Sequence, residues 1–184
     1  MYKLVIPKGE WFDEKKQEFI TLKNSVTLSL EHSLVSVSKW ESKWKKPYLS
    51  LDKKTKEEEI DYIRCMTLTQ NVDPTIYYCI PPIELLKING YINDPMTATT
   101  FGKTENKGGR EIITSEIIYY WMTCYNIPFE CQKWHLGRLI ALIRVCAAKN
   151  SASSGQGKKM SSKEIMARNR ALNKARRAQL HSRG

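Results

Sequence analysis

The period of apolar and polar positions changes several times along the chain, and each change marks an element. Lys3-Leu4-Val5-Ile6 is a short apolar run closed by Pro7 and Gly9. Phe19-Ile20-Thr21-Leu22 is a second run, and Ser25-Val26-Thr27-Leu28-Ser29-Leu30 alternates polar with apolar, the period of a half-buried strand. Asn24 between the last two predicts a hairpin turn, so a small antiparallel sheet is expected here. From Glu31 the period becomes helical. Ser33, Val37, Trp40 and Trp44 share one face, Leu30, Leu34 and Val37 an adjoining one, and Lys39, Lys43, Lys45 and Lys46 the polar side, until Pro47 stops the run.

Residues 53–68 predict a second helix, with Glu57, Glu58 and Glu59 in the early turns where the helix dipole favours acids. Asn71-Val72-Asp73-Pro74 marks a turn, and Pro81-Pro82 opens a short helix through Leu85, Leu86 and Ile88 to Gly90. Residues 93–110 hold Pro95, Gly102, Gly108 and Gly109 and read as a loop. Ser115 is placed to cap a helix over 116–125, although its Ile, Tyr and Trp content is also strand-like. Beyond Asn126-Ile127-Pro128 lies the most periodic segment. Cys131, His135, Leu139, Leu142 and Cys146 form one stripe and Leu136, Ile140 and Ile143 another, which predicts a single helix at the centre of the core with Pro128 near its start.

Ser151-Ala152-Ser153-Ser154-Gly155-Gln156-Gly157 is a linker by composition. After it, Ser161 and Glu164 fit a capping box, and residues 165–180 are rich in Ala, Arg, Asn and Lys, with only Ile165, Leu172 and Ala175 as an apolar stripe. A helix so polar gains its stability from a partner. The expected organisation is an α+β core over residues 1–150, a small N-terminal antiparallel sheet against a mostly helical body. A flexible linker over 151–160 and a basic helical tail over 161–184 follow.

Charge sharpens that division. Of the net +11, residues from Lys149 onward hold ten Lys/Arg against one acid, Glu164, a net of +9, while the preceding chain is nearly balanced at +2. The body is therefore not a basic nucleic-acid binder as a whole; Arg168, Arg170, Lys174, Arg176 and Arg177 are the candidate partner contacts. An acidic protein surface and a nucleic-acid backbone both satisfy such a tail. The apolar run at the start is too short for a secretory signal and no stretch approaches a membrane span, so the protein is expected to stay where it is made. Five scattered cysteines, Cys65, Cys79, Cys124, Cys131 and Cys146, make a poor disulfide framework and read as reduced thiols.

Candidate chemistry is sparse. Cys131 and His135 stand four apart with Cys124 nearby, but no paired knuckle accompanies them, and a core stripe explains them better than zinc. Glu31-His32-Ser33 lacks the geometry of a catalytic group if helical, and no nucleophile elbow, metalloprotease or phosphate-loop motif is present. These readings point to a binding protein without catalytic residues or a cofactor. Trp40 and Trp44 are candidate partner anchors, weighed against packing their helix onto the sheet. Tyr119, Tyr120 and Trp121 read as core rather than as a base-stacking platform.

Several stretches carry a resemblance: Leu30-Glu31-His32-Ser33-Leu34 continuing to Ser38-Lys39-Trp40-Glu41-Ser42-Lys43-Trp44, and Met66-Thr67-Leu68-Thr69-Gln70-Asn71. Others are Asp94-Pro95-Met96-Thr97-Ala98-Thr99, Glu111-Ile112-Ile113-Thr114-Ser115-Glu116, Pro128-Phe129-Glu130-Cys131-Gln132-Lys133-Trp134-His135, and the tail from Met160-Ser161-Ser162-Lys163-Glu164 to Arg176-Arg177. Over most of its length the chain is similar to a family of tail assembly chaperones from tailed phages of Gram-positive bacteria. The resemblance implies a viral protein of the host cytoplasm that binds the tape measure protein, helps tail tube subunits assemble around it, and is absent from the mature virion. It also implies a longer form made by a programmed frameshift, for which Gly157-Lys158-Lys159 is a candidate position. The alternatives are a nucleic-acid-binding accessory protein acting through the tail and a structural virion component such as a connector or tail-completion protein.

Overall fold

Pro7 has no N–H to give to a strand ladder, and its effect is visible in the computed structural model, which describes residues 1–13, 17–100, 112–153, 166 and 170. Four strands, β1 (Tyr2–Ile6), β2 (Gly9–Asp13), β3 (Glu18–Leu22) and β4 (Val26–Leu30), form one long interrupted hairpin. β1 pairs antiparallel with β4 from Tyr2↔Leu30 to Ile6↔Val26, and β2 with β3 from Gly9↔Leu22 to Asp13↔Glu18. The interruption sets Pro7 and Lys8 against Lys23, Asn24 and Ser25, an unequal count that bends the ribbon. The hairpin expected at Asn24 is thus corrected: β3 and β4 are not partners, and Asn24 lies in the break. The pattern also missed β2, whose short Gly9-Glu10-Trp11-Phe12 run sits too close to Pro7 to register as a strand.

Leu4, Ile6, Leu28 and Leu30 are fully buried on the inner face of the β1–β4 pair. The other edge of β4 is closed by the chain beyond the second helix: Leu68 N–H donates to the Ser29 carbonyl at 2.8 Å, and Glu31 N–H to the Met66 carbonyl at 2.9 Å. Covering the edge satisfies backbone groups that would otherwise invite another strand.

The body is helical, and the fold is α+β. α1 (Leu34–Trp44) starts where the Ser33 hydroxyl accepts from Ser36 N–H. It ends at Lys45, whose left-handed backbone lets its N–H return to the Glu41 carbonyl at 2.8 Å. α2 (Lys56–Met66) has a complete capping box between Thr55 and Glu58. A 3₁₀ turn follows at Pro74–Cys79, an element absent from the sequence pattern. α3 (Pro82–Asn93) runs through Gly90 rather than ending there; a Cβ at Gly90 would meet nothing within 4 Å. In α4 (Ser115–Cys124) the capping position is Thr114, and Ser115 is the first helical residue. Ser115, Ile118 and Met122 face the core. Tyr119 and Trp121 are half-buried and Tyr120 is 65% exposed, so the aromatic run is not core as expected.

The single helix expected after Pro128 is two pieces. Phe129–Lys133 is a 3₁₀ turn and α5 (Leu136–Ser153) begins after an extended Trp134 and His135. Tertiary partners override the helical period here. His135 bridges Ser33, and Leu136 N–H donates to the His32 carbonyl at 2.7 Å instead of to its own helix. Leu136, Leu139, Ala141 and Ile143 are buried, whereas Leu142 and Cys146 are only half-buried.

By their internal contacts, Met1–Val145 and Cys146–Gly184 form separate units, a boundary inside α5. Ser151–Ser153, assigned to the linker by composition, belong to α5, and the Ser151 hydroxyl donates to the Ala147 carbonyl at 2.9 Å. The rest of the expected linker, and all of the tail except helical Met166 and Arg170, lie outside the described residues. Among the described residues, no helix is long and apolar enough to cross a membrane.

Candidate partner-binding groove

The i, i+4 spacing of Trp40 and Trp44 sets both indoles on one face of α1, where their rings stack at 6.1 Å. That face is turned to α2 and to the connection between the two helices rather than to the sheet. Trp40 is 1% exposed and its Nε1–H donates to the Glu58 carbonyl at 2.9 Å. Trp44 is half-buried; its Nε1–H donates to Asp61 Oδ2 at 2.9 Å, while Lys43 donates to Oδ1 at 2.5 Å. Trp40 is therefore a packing residue, and Trp44 has a surface to offer.

Charges in the α1–α2 joint are mostly consumed internally. Glu58 accepts from Lys46 at 2.6 Å and from Thr55 N–H at 2.8 Å, and the Lys46 ammonium holds its carboxyl below the usual range. Glu41 accepts from Tyr48 N–H and from Ser115 N–H, each at 2.8 Å, so one buried carboxylate ties the chain after α1 to the first residue of α4. Tyr48 stacks on Tyr62 at 3.8 Å, and the Lys54 ammonium stands 4.6 Å above the Tyr48 ring.

Two cavities open beside the stacked indoles. One, of about 330 Å³, has Trp40 and Pro47 in its wall, with Lys46, Lys53 and Lys54 around it. The other, of about 230 Å³, is walled by Trp44, Ile60, Pro74, Tyr77 and Tyr78, with Lys43 and Arg64 facing Glu57 and Asp61. The first is an amphipathic cleft of cationic character and the second an aromatic one with balanced charge. Of the candidate contacts read from sequence, Trp40 and Trp44 come together here. Arg170 is helical and exposed, and Arg168, Lys174, Arg176 and Arg177 lie outside the described residues. Sequence reasoning missed Tyr77 and Tyr78; their only signal was an aromatic pair just after the Asp73-Pro74 turn.

The other cluster of titratable groups is closed to solvent. Glu31, His32 and Ser33 are extended rather than helical, and their side chains diverge. Glu31 accepts from the Tyr91 hydroxyl at 2.6 Å, His32 Nδ1 lies 2.5 Å from the Tyr62 hydroxyl, and Ser33 caps α1. The His32 and His135 rings meet edge-on at 5.1 Å. Gly137 N–H donates to His135 Nδ1, which leaves Nε2–H to donate to the Tyr91 carbonyl at 3.0 Å. Burial, with His135 as a second cause, pushes His32 down to about 3; burial lowers His135 as well and raises the Tyr62 hydroxyl well above its ordinary value. With His32 4% and Tyr62 1% exposed, this cluster joins elements and has no face for a substrate.

His135 thus spends both ring nitrogens on the backbone, Cys131 lies in the preceding 3₁₀ turn and Cys124 is exposed. Among the described residues, no group of three or more His, Cys, Asp or Glu side chains is arranged to hold a metal ion. No protein-family model, curated protein or solved structure matches this chain.

Proposed function

We propose that this protein is a tail assembly chaperone of a tailed phage, binding the tape measure protein in the host cytoplasm and left out of the finished virion. The reading is supported by the resemblance of the quoted stretches and, on the molecule itself, by one observation. The aromatic cavity of Trp44, Tyr77, Tyr78 and Ile60 is an open, concave surface at a helix–helix joint. A tape measure protein is a long helical chain whose apolar seams face water until the tube encloses it. An amphipathic helix lays such a seam into an apolar groove, one side chain at a time. A tethered cationic segment then raises the local concentration of the groove along the same target.

Co-expression tests this. Full-length protein should keep a tape measure protein soluble in the absence of tube subunits and copurify with it, and Tyr78→Ala should weaken the association. An insoluble tape measure protein in the presence of excess chaperone overturns the reading. The concentration of net +9 beyond residue 148 keeps a second reading in view, a nucleic-acid accessory role. It predicts a steep loss of DNA or RNA affinity with rising salt, with a slope set by the phosphates contacted.

A further inference from the structure

We infer that His135 is a proton-operated cap: neutral, it holds the start of α5 and the end of α3 on the body, and protonated, it lets both go while the sheet and α1 stay folded. The inference is independent of the chaperone reading. Its basis is what the two ring nitrogens hold. Nδ1 accepts from Gly137 N–H at 3.3 Å, in the first turn of α5. Nε2–H donates to the Tyr91 carbonyl at 3.0 Å, in the last turn of α3. A helix start needs acceptors for its free N–H groups, and serine, threonine, asparagine or aspartate ordinarily supplies one. Here an imidazole does, and of these acceptors it alone turns into a donor near neutral pH.

A proton on Nδ1 changes three things at once. It sets a second N–H against that of Gly137, which leaves the amide without its acceptor. It places a unit charge at the helix end where the backbone dipole is already positive. It also brings a cation against His32, whose ring lies edge-on at 5.1 Å, so the pair does not hold two protons. The ring therefore swings out, and Nε2 leaves the Tyr91 carbonyl with it. Backbone packing carries the motion further. A Cβ at Gly137 would stand 3.0 Å from the Asp94 and Pro95 carbonyl oxygens, so the first turn of α5 lies directly on the chain leaving α3. Of the two rings, His135 is the one to take the proton first. Burial lowers it, while the Tyr91 carbonyl, Glu31 and Asp94 favour its cation against the Met1 ammonium. His32 packs instead among the Tyr48, Tyr62 and His135 rings, and burial holds it down to about 3.

Native-state amide exchange on full-length protein, followed from pH 7 to pH 5, tests this. Corrected for intrinsic rates, protection of the Leu136 and Gly137 amides should fall about tenfold per pH unit below 6.5, because the open form takes a proton that the closed form refuses. At pH 5 that exchange should be insensitive to low denaturant, while exchange in the β1–β4 ladder rises with it; this marks a local opening rather than global unfolding. The ring resonances of His135 should show an unprotonated Nδ1 at pH 7. His135→Asn keeps a capping oxygen without the titration and should leave the Gly137 amide protected at both pH values. His32→Gln should leave the pH response in place. A proton on Nδ1 at pH 7, protection of Gly137 that does not change with pH, or exchange that follows the β1–β4 ladder in denaturant overturns the inference. So does a response abolished by His32→Gln and kept by His135→Asn. Should His135→Asn not fold, the ring resonances and the wild-type exchange still decide between these outcomes.

Discussion

Two regions of this protein are built from the same materials and do opposite things. Around His32 and His135, aromatic rings and polar groups are enclosed, with each imidazole nitrogen that has a partner bonded to the protein itself. Around Trp44, aromatic rings and charges are as dense, yet one side faces outward. The difference lies in who supplies the partners. In the first, β4, α1, α2, α3 and α5 converge and satisfy one another. In the second, α1 and α2 satisfy one wall, Asp61 and Glu58 being taken, and leave the opposite wall for something else. Aromatic content alone does not mark a binding surface; an unmatched side does.

The sharpest break of that comparison is within the tryptophan pair. Trp40→Ala should cost about 4 kcal/mol in chemical denaturation, since it empties a buried site and removes the indole hydrogen bond to the Glu58 carbonyl. Trp44→Ala should cost markedly less stability and much more partner affinity. Equal losses for the two would erase the distinction between closed and open regions.

Acid is the next lever. His32 has a folded value of about 3 against an ordinary 6.5, so between those values the unfolded chain binds a proton that the folded one refuses. Its contribution is present in full above about pH 6.5 and is lost as pH falls toward 3. Unfolding free energy should drop by about 3 kcal/mol between pH 7 and pH 4 on this account, and His32→Gln should flatten that slope. A native protein equally stable at both pH values would show the histidine pair not to be enclosed.

A smaller effect separates buried from exposed charge. Glu41→Ala strips the partner from Tyr48 N–H and the buried Ser115 N–H and should cost about 2 kcal/mol. Lys53→Ala, at the open face, should stay within about 0.5 kcal/mol. Paired denaturation curves would read both.

How much of this was legible in the sequence follows the reach of the interactions. The existence of α1 and its stop before Pro47 were readable because those signals are local, but the helical period was read from Glu31, whereas the helix starts only at Leu34, after the Ser33 cap. The α+β class was readable for the same reason. The strand pairing was not: Asn24 beside two apolar runs signals a hairpin, but the decisive fact is that Pro7 faces Asn24 across a longer ribbon. The break before α5 was invisible because the helical period survives it, and only Ser33 and His32, far upstream, explain why Trp134 and His135 leave the helix pattern. The groove was half legible. Trp40 and Trp44 stand out as a pair, but which one is buried depends on Glu58, and the far wall comes from Pro74, Tyr77 and Tyr78. The segments behind the chaperone resemblance at 30–34, 66–71 and 128–135 meet in the enclosed joint, so their first duty is to hold the body together.

That joint also imposes an order on biosynthesis. The bridge between Ser33 and His135 ties points roughly a hundred residues apart, and the Leu136–His32 hydrogen bond completes it. A nascent chain emerging from the ribosome carries β1, β4 and α1 early, but their inner surfaces stay without a lid until translation has passed α4 and begun α5. Until then the apolar inner faces of β1 and β4 are exposed surface on the growing polypeptide.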